Sequence, residues 1–184
     1  MVALALEVAD DGGPDGFTGL TLAAVAARAG VAVPSLYKHV HGLDDLRRAV
    51  ALVCVEEFTA LLAATVDQVG TDPTTADPAA TVRALAHATR DHARRHPARY
   101  SAVQGGSWAR DPLAGDVQRA GAGAVEVIAA ALARTGLPPE RTVDAVRTFR
   151  AVVHGFVSLE LEGGFGLPDD VDASFDYALD RLSG

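Results

Sequence analysis

The residues of this chain best suited to chemistry are four polar side chains within one short stretch: Ser35, Tyr37, Lys38 and His39. They supply a hydroxyl, a phenol, an ammonium and an imidazole, which are groups that proteins direct to DNA phosphates and base edges. Lys38 is the only lysine among 184 residues. The stretch therefore predicts a nucleic-acid contact if the surrounding elements turn these side chains outward.

The positive charge of the chain is concentrated around this stretch. The whole sequence carries 16 basic and 24 acidic residues, a formal net charge of −8. Over 21–48, four basic residues against two acidic ones leave +2, so the rest of the chain carries −10. The acidity therefore lies elsewhere, and the segment expected to face DNA is locally positive.

Two short helices are predicted to position the stretch. Thr21 is a suitable N-cap for a helix that Gly30 ends. A very short third helix is predicted over 33–40, with Pro34 tolerated in its first turn. Two short helices joined by a glycine-containing turn are the signature of a helix-turn-helix. Taken alone, the pattern is also compatible with an ordinary pair of packed helices.

The third helix has an inner and an outer side. Its spacing directs Val33, Leu36 and Val40 inward to pack. Small residues at its start allow close approach to a groove. The positions on or near the outer side are Pro34, Ser35, Tyr37, Lys38 and His39.

Helical spacing continues along the chain, and strand-like alternation is absent. Further helices are predicted at 2–10, 43–65, 79–96, 97–104, 112–135, 138–162 and 170–182, with the clearest loop at 70–78. The sequence therefore predicts an all-α protein of about nine helices. We expect a helix-turn-helix DNA-binding domain over 1–47 and a helical bundle over 48–184.

Composition and pattern argue against several classes of protein. No stretch approaches the roughly 20 uninterrupted apolar residues of a membrane span. The N-terminus lacks the basic start and cleavage pattern of a signal peptide, so a soluble cytoplasmic protein is expected. The single Cys54 excludes an intrachain disulfide and a cysteine-rich zinc site. No catalytic serine-histidine-acid order, phosphate loop or convincing carboxylate pair is present, so neither an enzyme nor a cofactor is predicted.

The predicted helix 79–96 has an apolar face with His92 and His96 at its edge. Two histidines four residues apart could bind a metal, but no third ligand has suitable spacing, so no metal site is predicted. The opposite face is expected to meet water and carries Arg83, His87, Arg90 and Arg94.

A small-molecule pocket in the larger domain would use polar and aromatic side chains. The candidates are His92, His96, Tyr100, Trp108, Phe149 and His154. Each aromatic residue suits an ordinary core position equally well. His154 lies within an apolar stripe, where it is either a satisfied core histidine or a ligand contact.

The segment "TLAAVAARAGVAVPSLYKHV", followed by "LDDL", resembles the DNA-binding domain of the TetR family of bacterial transcriptional regulators. The matching elements are Thr21, Ala26, Ala29-Gly30-Val31, Leu36-Tyr37, His39 and Leu46. The resemblance implies that Tyr37, Lys38 and His39 contact the DNA backbone. It also implies that Val33, Pro34 and Ser35 lie nearest the bases, with Thr21 completing the DNA-binding set.

The same resemblance implies a homodimer and a small-molecule effector. The last two long helices would pair with those of a second copy through two apolar stripes, which could instead close the core of one chain. The stripes are Val143, Val146, Arg150, Val153, Val157 and Leu161, and then Val171, Phe175, Ala178, Leu179 and Leu182. An effector bound in the larger domain would release a near-palindromic double-stranded DNA operator, which makes a repressor the expected role.

The tail at 152–168, which contains His154-Gly155, resembles a subgroup whose C-terminal domain is named for a Trp-His-Gly motif. The tryptophan of that motif is not nearby, since Trp108 lies elsewhere in the chain.

Three departures from the family pattern bear on DNA binding. Ala32 stands where a capping serine is usual, and Asp44 lies in the region where many members carry a phosphate-binding lysine. The chain also begins at Met1 without a basic arm. We therefore expect modest DNA affinity with a shallow salt dependence, or a true start upstream. The second interpretation is a helical dimeric module for small molecules or a protein partner, with weak or lost DNA binding.

Overall fold

The computed structural model describes residues 1–70, 77–106 and 108–183, and no strand occurs among them. Two 3₁₀ helices cover Gly13–Asp15 and Pro139–Arg141. The α-helices within the described ranges are α1 Val2–Asp11, α2 Leu22–Ala29, α3 Val33–Leu36, α4 Leu43–Val69, α5 Pro78–Arg95, α6 Pro97–Val103, α7 Gly115–Ala133, α8 Thr142–Leu161 and α9 Val171–Ser183. The predicted all-α class with about nine helices is confirmed.

Several helix ends differ from the predicted ones. α4 continues to Val69 rather than stopping at 65, because nothing in this stretch breaks the helix before Gly70, which adopts a positive φ of 94°. α8 begins at Thr142 rather than 138, since the preceding residues form a 3₁₀ helix. The predicted loop at 70–78 lies largely outside the described residues.

The chain divides into two compact units. Unit 1 comprises Met1–Phe58 and Arg95–Ala122, and unit 2 comprises Thr59–Arg94 and Gly123–Gly184. Sequence spacing does not predict that 95–122 joins the N-terminal helices. The predicted domain boundary between residues 47 and 48 follows expected function, whereas the two units follow packing contacts. The boundary stays a prediction.

Unit 1 is held together by an apolar core and by close backbone packing. Gly16 passes so near α1 that a Cβ there would lie 1.8 Å from the carbonyl oxygen of Ala9, so no larger residue fits. α6 packs on α1, where Arg99 forms ion pairs with Asp10 at 2.7 Å and Glu57 at 2.9 Å. The larger buried side chains of the core include Leu6, Phe17, Leu20, Val25, Leu36, Leu46, Val50 and Trp108.

α4 is by length and composition apolar enough to cross a membrane. Within unit 1, however, its Leu46 and Val50 are buried in the core, and the core helix of a soluble protein meets the same criteria. The adjacent exposed residues Glu56 and Glu57 interrupt its apolar sequence. The helix is therefore explained by packing in this fold.

In unit 2 the predicted stripe of α8 is only partly buried. Val143 and Arg150 are exposed, and Phe149 faces the core in the place expected for Arg150. The residues of α8 and α9 that are fully inward are Val146, Phe149, Val153, Val157, Phe175 and Leu179. Half of the expected dimer stripe thus serves the core of one chain.

The predicted water-facing side of α5 is wrong at Arg90. Its side chain is buried, with 3% of the residue exposed, and it forms ion pairs with Glu160 of α8 and Asp172 of α9. Arg94 is exposed as predicted, whereas Arg83 and His87 are half-buried. The reason is that α8 and α9 supply carboxylates that cover this face.

Candidate nucleic-acid interface

α2 begins and ends with the local structures that its sequence predicts. The Thr21 hydroxyl oxygen accepts a hydrogen bond from the backbone N–H of Ala24 at 3.1 Å. At the other end Gly30 adopts φ +69°, and the N–H of Val31 donates to the carbonyl of Ala26 at 3.0 Å. The turn that leads into α3 is therefore well determined.

α3 is shorter than predicted. The α-helix covers Val33–Leu36 only, and no side chain caps its start at Ala32. Beyond it, the N–H of His39 donates to the carbonyl of Leu36 at 2.8 Å, so the chain tightens into a turn. The predicted continuous helix over 33–40 is wrong in its second half, and Tyr37, Lys38 and His39 lie in that turn.

The burial of this segment separates packing residues from exposed ones. Leu36 and Val40 are buried, and Val33 is half-buried against the same core. Tyr37 is 57% exposed, although it is a large aromatic residue that would gain by burial. The exposed group also includes Pro34, Lys38 and His39, while Ser35 is half-buried. The inward and outward sides are as predicted, and contact with DNA stays a prediction.

Arg28 and Arg47 contribute to the positive charge of 21–48, but both are bonded to other residues of unit 1. Arg28 pairs with Glu7 at 3.3 Å and with Asp11, and the Asp11 hydrogen bond raises the pKa of Arg28. Arg47 donates to the backbone carbonyls of Thr18 at 2.6 Å and Leu20 at 3.1 Å. Either guanidinium could contact a DNA phosphate only by giving up these bonds.

Arg48 is committed in the same way. It pairs with Asp111 at 3.0 Å and with Asp45 at 3.4 Å. The backbone N–H of His41 lowers the pKa of Asp45, and that of Leu113 lowers the pKa of Asp111, with Arg48 adding to both. Both carboxylates therefore stay ionised and hold Arg48.

Lys38 is thus distinct among the four Lys and Arg residues of 1–48, a range described in full. It forms neither an ion pair nor a hydrogen bond with the described residues, whereas the three arginines all do. Asp44, in the first turn of α4, is exposed. Sequence counting overestimates the available positive charge because partners such as Glu7 and Asp111 are distant in sequence.

The candidate pocket residues are distributed over both units. In unit 1, Tyr100 and Trp108 are buried, and the indole N–H of Trp108 donates to the carbonyl of Ala102 at 2.8 Å. His96 is half-buried just before α6. Trp108 also lies over Gly121, where a Cβ would be 2.9 Å from the ring. The role of Trp108 that these contacts describe is packing.

In unit 2, His92 and Phe149 are buried, whereas His154 is exposed on α8. The interpretation of His154 as a core histidine is therefore wrong. Its Nε2 lies 3.4 Å from the hydroxyl of Ser158, one turn further along the helix. Phe149 lines a small cavity of about 220 Å³ together with residues that include Leu132 and Arg181.

A larger cavity of about 440 Å³ in unit 2 is lined by none of the candidates. Its walls are apolar residues of α4 and α7, and the charged residues Asp67 and Arg134 also line it. The small wall residues cannot be distinguished in the sequence from ordinary helix-packing alanines and valines. They are Ala63, Val66, Val127, Ala130 and Ala131.

Two observations bear on metal or thiol chemistry. Among the described residues, no three His, Cys, Asp or Glu side chains form a group that could hold a metal ion. Burial raises the pKa of the Cys54 thiol to about 12. This cysteine is therefore a packed apolar residue rather than a reactive thiolate.

Comparison with known families gives a match over more than half of the chain. The family described as "Tetracyclin repressor-like, C-terminal domain" matches residues 82–182. An uncharacterized HTH-type transcriptional regulator of Mycobacterium tuberculosis, Rv0681, is 37% identical over 161 residues, which cover 86% of this chain and 67% of the relative.

Solved structures share the fold. A protein of unknown function from Rhodococcus sp. RHA1 superposes with a TM-score of 0.78 at 24% identity, over 99% of this chain and 90% of that one. A single-substitution variant of TetR from Acinetobacter baumannii AYE gives a TM-score of 0.65 at 22% identity, over 99% and 91% of the two chains. The narrower resemblance to the Trp-His-Gly subgroup stays a prediction.

Proposed function

Because this chain belongs to the TetR family of helix-turn-helix transcriptional regulators, we propose that it is a ligand-responsive repressor. In this proposal a homodimer occupies a near-palindromic operator and leaves it when a small molecule binds. The family consists of DNA-binding regulators rather than enzymes, and we place the activity of this member in the cytoplasm.

The observation that carries the proposal is the exposure of Tyr37, Lys38 and His39 directly beside the buried Leu36 and Val40. Leu36 and Val40 anchor this turn in the core at both of its ends, so donors for phosphates are held outward at no cost in core packing. In the proposed complex these three side chains contact the DNA backbone.

The remaining members of the DNA-binding set would complete that contact. Val33, Pro34 and Ser35 form the start of α3, where side chains are small enough for close approach to base edges. Thr21 lies at the start of α2, where its backbone and hydroxyl would face a phosphate.

A second copy of the chain is the proposed protein partner. The outer side of α8 and α9 leaves large apolar residues uncovered, notably Val143 at 59% exposed and Tyr177 at 62%. Leu159 and Leu167 are exposed in the same part of the chain. A two-fold pairing that buries Val143 and Tyr177 would set two recognition segments about one DNA turn apart, roughly 34–36 Å.

The effector is proposed to bind within unit 2. The cavity lined by α4 and α7 has the volume and the mainly apolar walls of a small-molecule site, with two charged side chains for orientation. A structural relative of this chain is described in complex with minocycline. If an effector weakens DNA binding here, thermodynamic linkage requires that DNA weaken effector binding by the same factor.

The proposal is tested with fluorescently labelled DNA from upstream of the gene. We expect the wild type to shift the anisotropy, and the triple variant Tyr37→Ala/Lys38→Ala/His39→Ala to bind at least about tenfold more weakly. Arg119→Ala is the matched control, because this arginine is exposed on α7 in unit 1 and pairs with Asp116 of the same helix.

The alternative function is a helical dimer that binds small molecules or a protein without useful DNA contact. Two features favour it: no side chain caps the start of α3 at Ala32, and Asp44 is exposed. It would be supported if upstream DNA and unrelated DNA of equal length bind equally weakly, and if the triple variant binds like the wild type.

A further inference from the structure

Arg90 of α5, in unit 2, is buried and forms hydrogen bonds with carboxylates of two other helices. Its Nε donates to Glu160 Oε2 and its Nη2 donates to Glu160 Oε1, both at 2.6 Å. The same Nη2 donates to Asp172 Oδ1 at 2.6 Å. The guanidinium carbon lies 4.8 Å from the centre of the Phe175 ring. We call Arg90, Glu160, Asp172 and Phe175 the arginine clasp.

The clasp joins two particular helix ends. Glu160 is the penultimate residue of α8, and Asp172 is the second residue of α9. Phe175 lies one turn after Asp172 and is fully buried, with Phe156 of α8 edge-on to it at 5.1 Å. One guanidinium therefore holds the end of α8 and the start of α9 at the same point on α5.

The chemistry of the clasp makes it rigid. A guanidinium that binds a carboxylate through two parallel N–H groups fixes direction as well as distance. Arg90 is buried, so losing it would leave Glu160, whose side chain is only 15% exposed, without its partner. The contact with α9 is different: it is one hydrogen bond to Asp172, whose side chain is 70% exposed, together with the guanidinium lying over the buried Phe175 ring.

A neighbouring ion-pair group fastens α9 alone. Arg83 of α5 pairs with Asp176 at 3.0 Å and with Asp180, and His87 lies 2.9 Å from Asp176. These contacts connect α5 to α9 and do not include α8. They provide an internal comparison, because they have similar chemistry but do not connect α8 with α9.

We propose that Arg90 is a positioning residue for self-association, because it fixes the angle between α8 and α9 and thereby the surface that meets a second copy of this chain. This inference rests on the homodimer of the proposed function. The uncovered apolar residues come from both helices, with Val143 on α8 and Tyr177 on α9. A surface built from two helices is complementary to its own copy only when their angle is fixed.

The test compares two exposed carboxylates on α9, of which Asp172 is bonded to Arg90 and Asp180 to Arg83. Asp172 and Asp180 have side chains 70% and 65% exposed, so Asp172→Asn and Asp180→Asn are expected to fold. Sedimentation velocity over a concentration series gives the dimer dissociation constant of each. We expect Asp172→Asn to raise it about threefold or more, and Asp180→Asn to leave it within error.

Variants of the two arginines give the larger effect. Arg90→Met is expected to raise the dissociation constant at least about tenfold, Arg90→Lys to restore part of it, and Arg83→Met to change it little. Thermal unfolding measured in parallel separates loss of dimer from loss of fold. If Arg90→Lys lowers the dissociation constant toward the wild-type value while its melting temperature stays close to that of Arg90→Met, the role of Arg90 is positioning rather than general stability.

The possible outcomes distinguish failure of this inference from failure of the homodimer proposal. A wild type that stays monomeric at all concentrations would overturn the homodimer and this inference with it. A dimeric wild type whose Asp172→Asn and Asp180→Asn variants associate equally well would overturn the inference alone. The same holds if Arg90→Met and Arg83→Met weaken the dimer to the same degree.

Discussion

The turn after α3 and the arginine clasp use positive charge in opposite ways. Lys38 is exposed and makes no bond with any residue that the structure describes, whereas Arg90 is buried and bonded to two carboxylates. In the first region the unused donors are available to another molecule. In the second the strong donor contacts are made inside the chain. Charge in this sequence therefore indicates binding only where the structure leaves it unpaired.

The largest effect on stability is expected from a change in the buried arginine clasp. Arg90→Met should lower the free energy of unfolding by about 3–5 kcal/mol, because it leaves Glu160 without its charge partner in a buried site. Urea unfolding followed by far-ultraviolet circular dichroism measures the change. Arg28→Met is the control, since its exposed pairs should contribute little. Equal losses in both variants would contradict the distinction between the two regions.

Features that depend on residues close together in the sequence are the ones that the sequence predicts. The N-cap at Thr21, the stop at Gly30 and the inward side of α3 depend on residues within about one or two helical turns, and periodicity predicts them. The truncated end of α3 is not predictable in this way, because a tightened turn at Leu36 and His39 leaves the spacing of the apolar residues unchanged.

The pairing of arginines could not be predicted from local spacing. Arg83, His87, Arg90 and Arg94 share one polar face of α5, and a polar face alone does not reveal that carboxylates of α8 and α9 cover part of it. Likewise, Arg48 finds Asp111 at a separation of 63 residues. Such distant partners explain why the sequence overestimates the free charge near the DNA-binding turn and underestimates the burial of Arg90.

A moderate effect is expected from adding charge to the exposed region. Asp44 is exposed in the first turn of α4 and repels phosphate. Asp44→Lys should strengthen DNA binding several-fold at low salt and steepen the salt dependence by about two phosphate contacts per dimer. Anisotropy titrations measure both. Glu126→Lys, which makes the same charge change on an exposed part of α7, should leave the slope nearly unchanged. Equal gains in the two variants would show a general charge effect.

The smallest effect is a change in acid sensitivity at the clasp. The Arg90 hydrogen bond lowers the pKa of Asp172 below its usual value of about 3.9. The ionised, bonded form therefore adds stability above that value, and the contribution is lost as the pH falls through the lowered pKa. Asp172→Asn should consequently show a flatter decline of unfolding free energy below about pH 4 than the wild type. An unchanged decline would mean that the pair contributes nothing measurable.

We propose that the turn containing Lys38 supplies the charge by which this regulator holds DNA. The most direct measurement is the slope of log affinity against log salt for the wild type and Lys38→Ala on the same upstream DNA. Because Lys38 is the unpaired member of the four Lys and Arg residues of 1–48, we predict a shallow wild-type slope that falls by about one per protomer in the variant. A steep wild-type slope, or one that Lys38→Ala does not change, would contradict it.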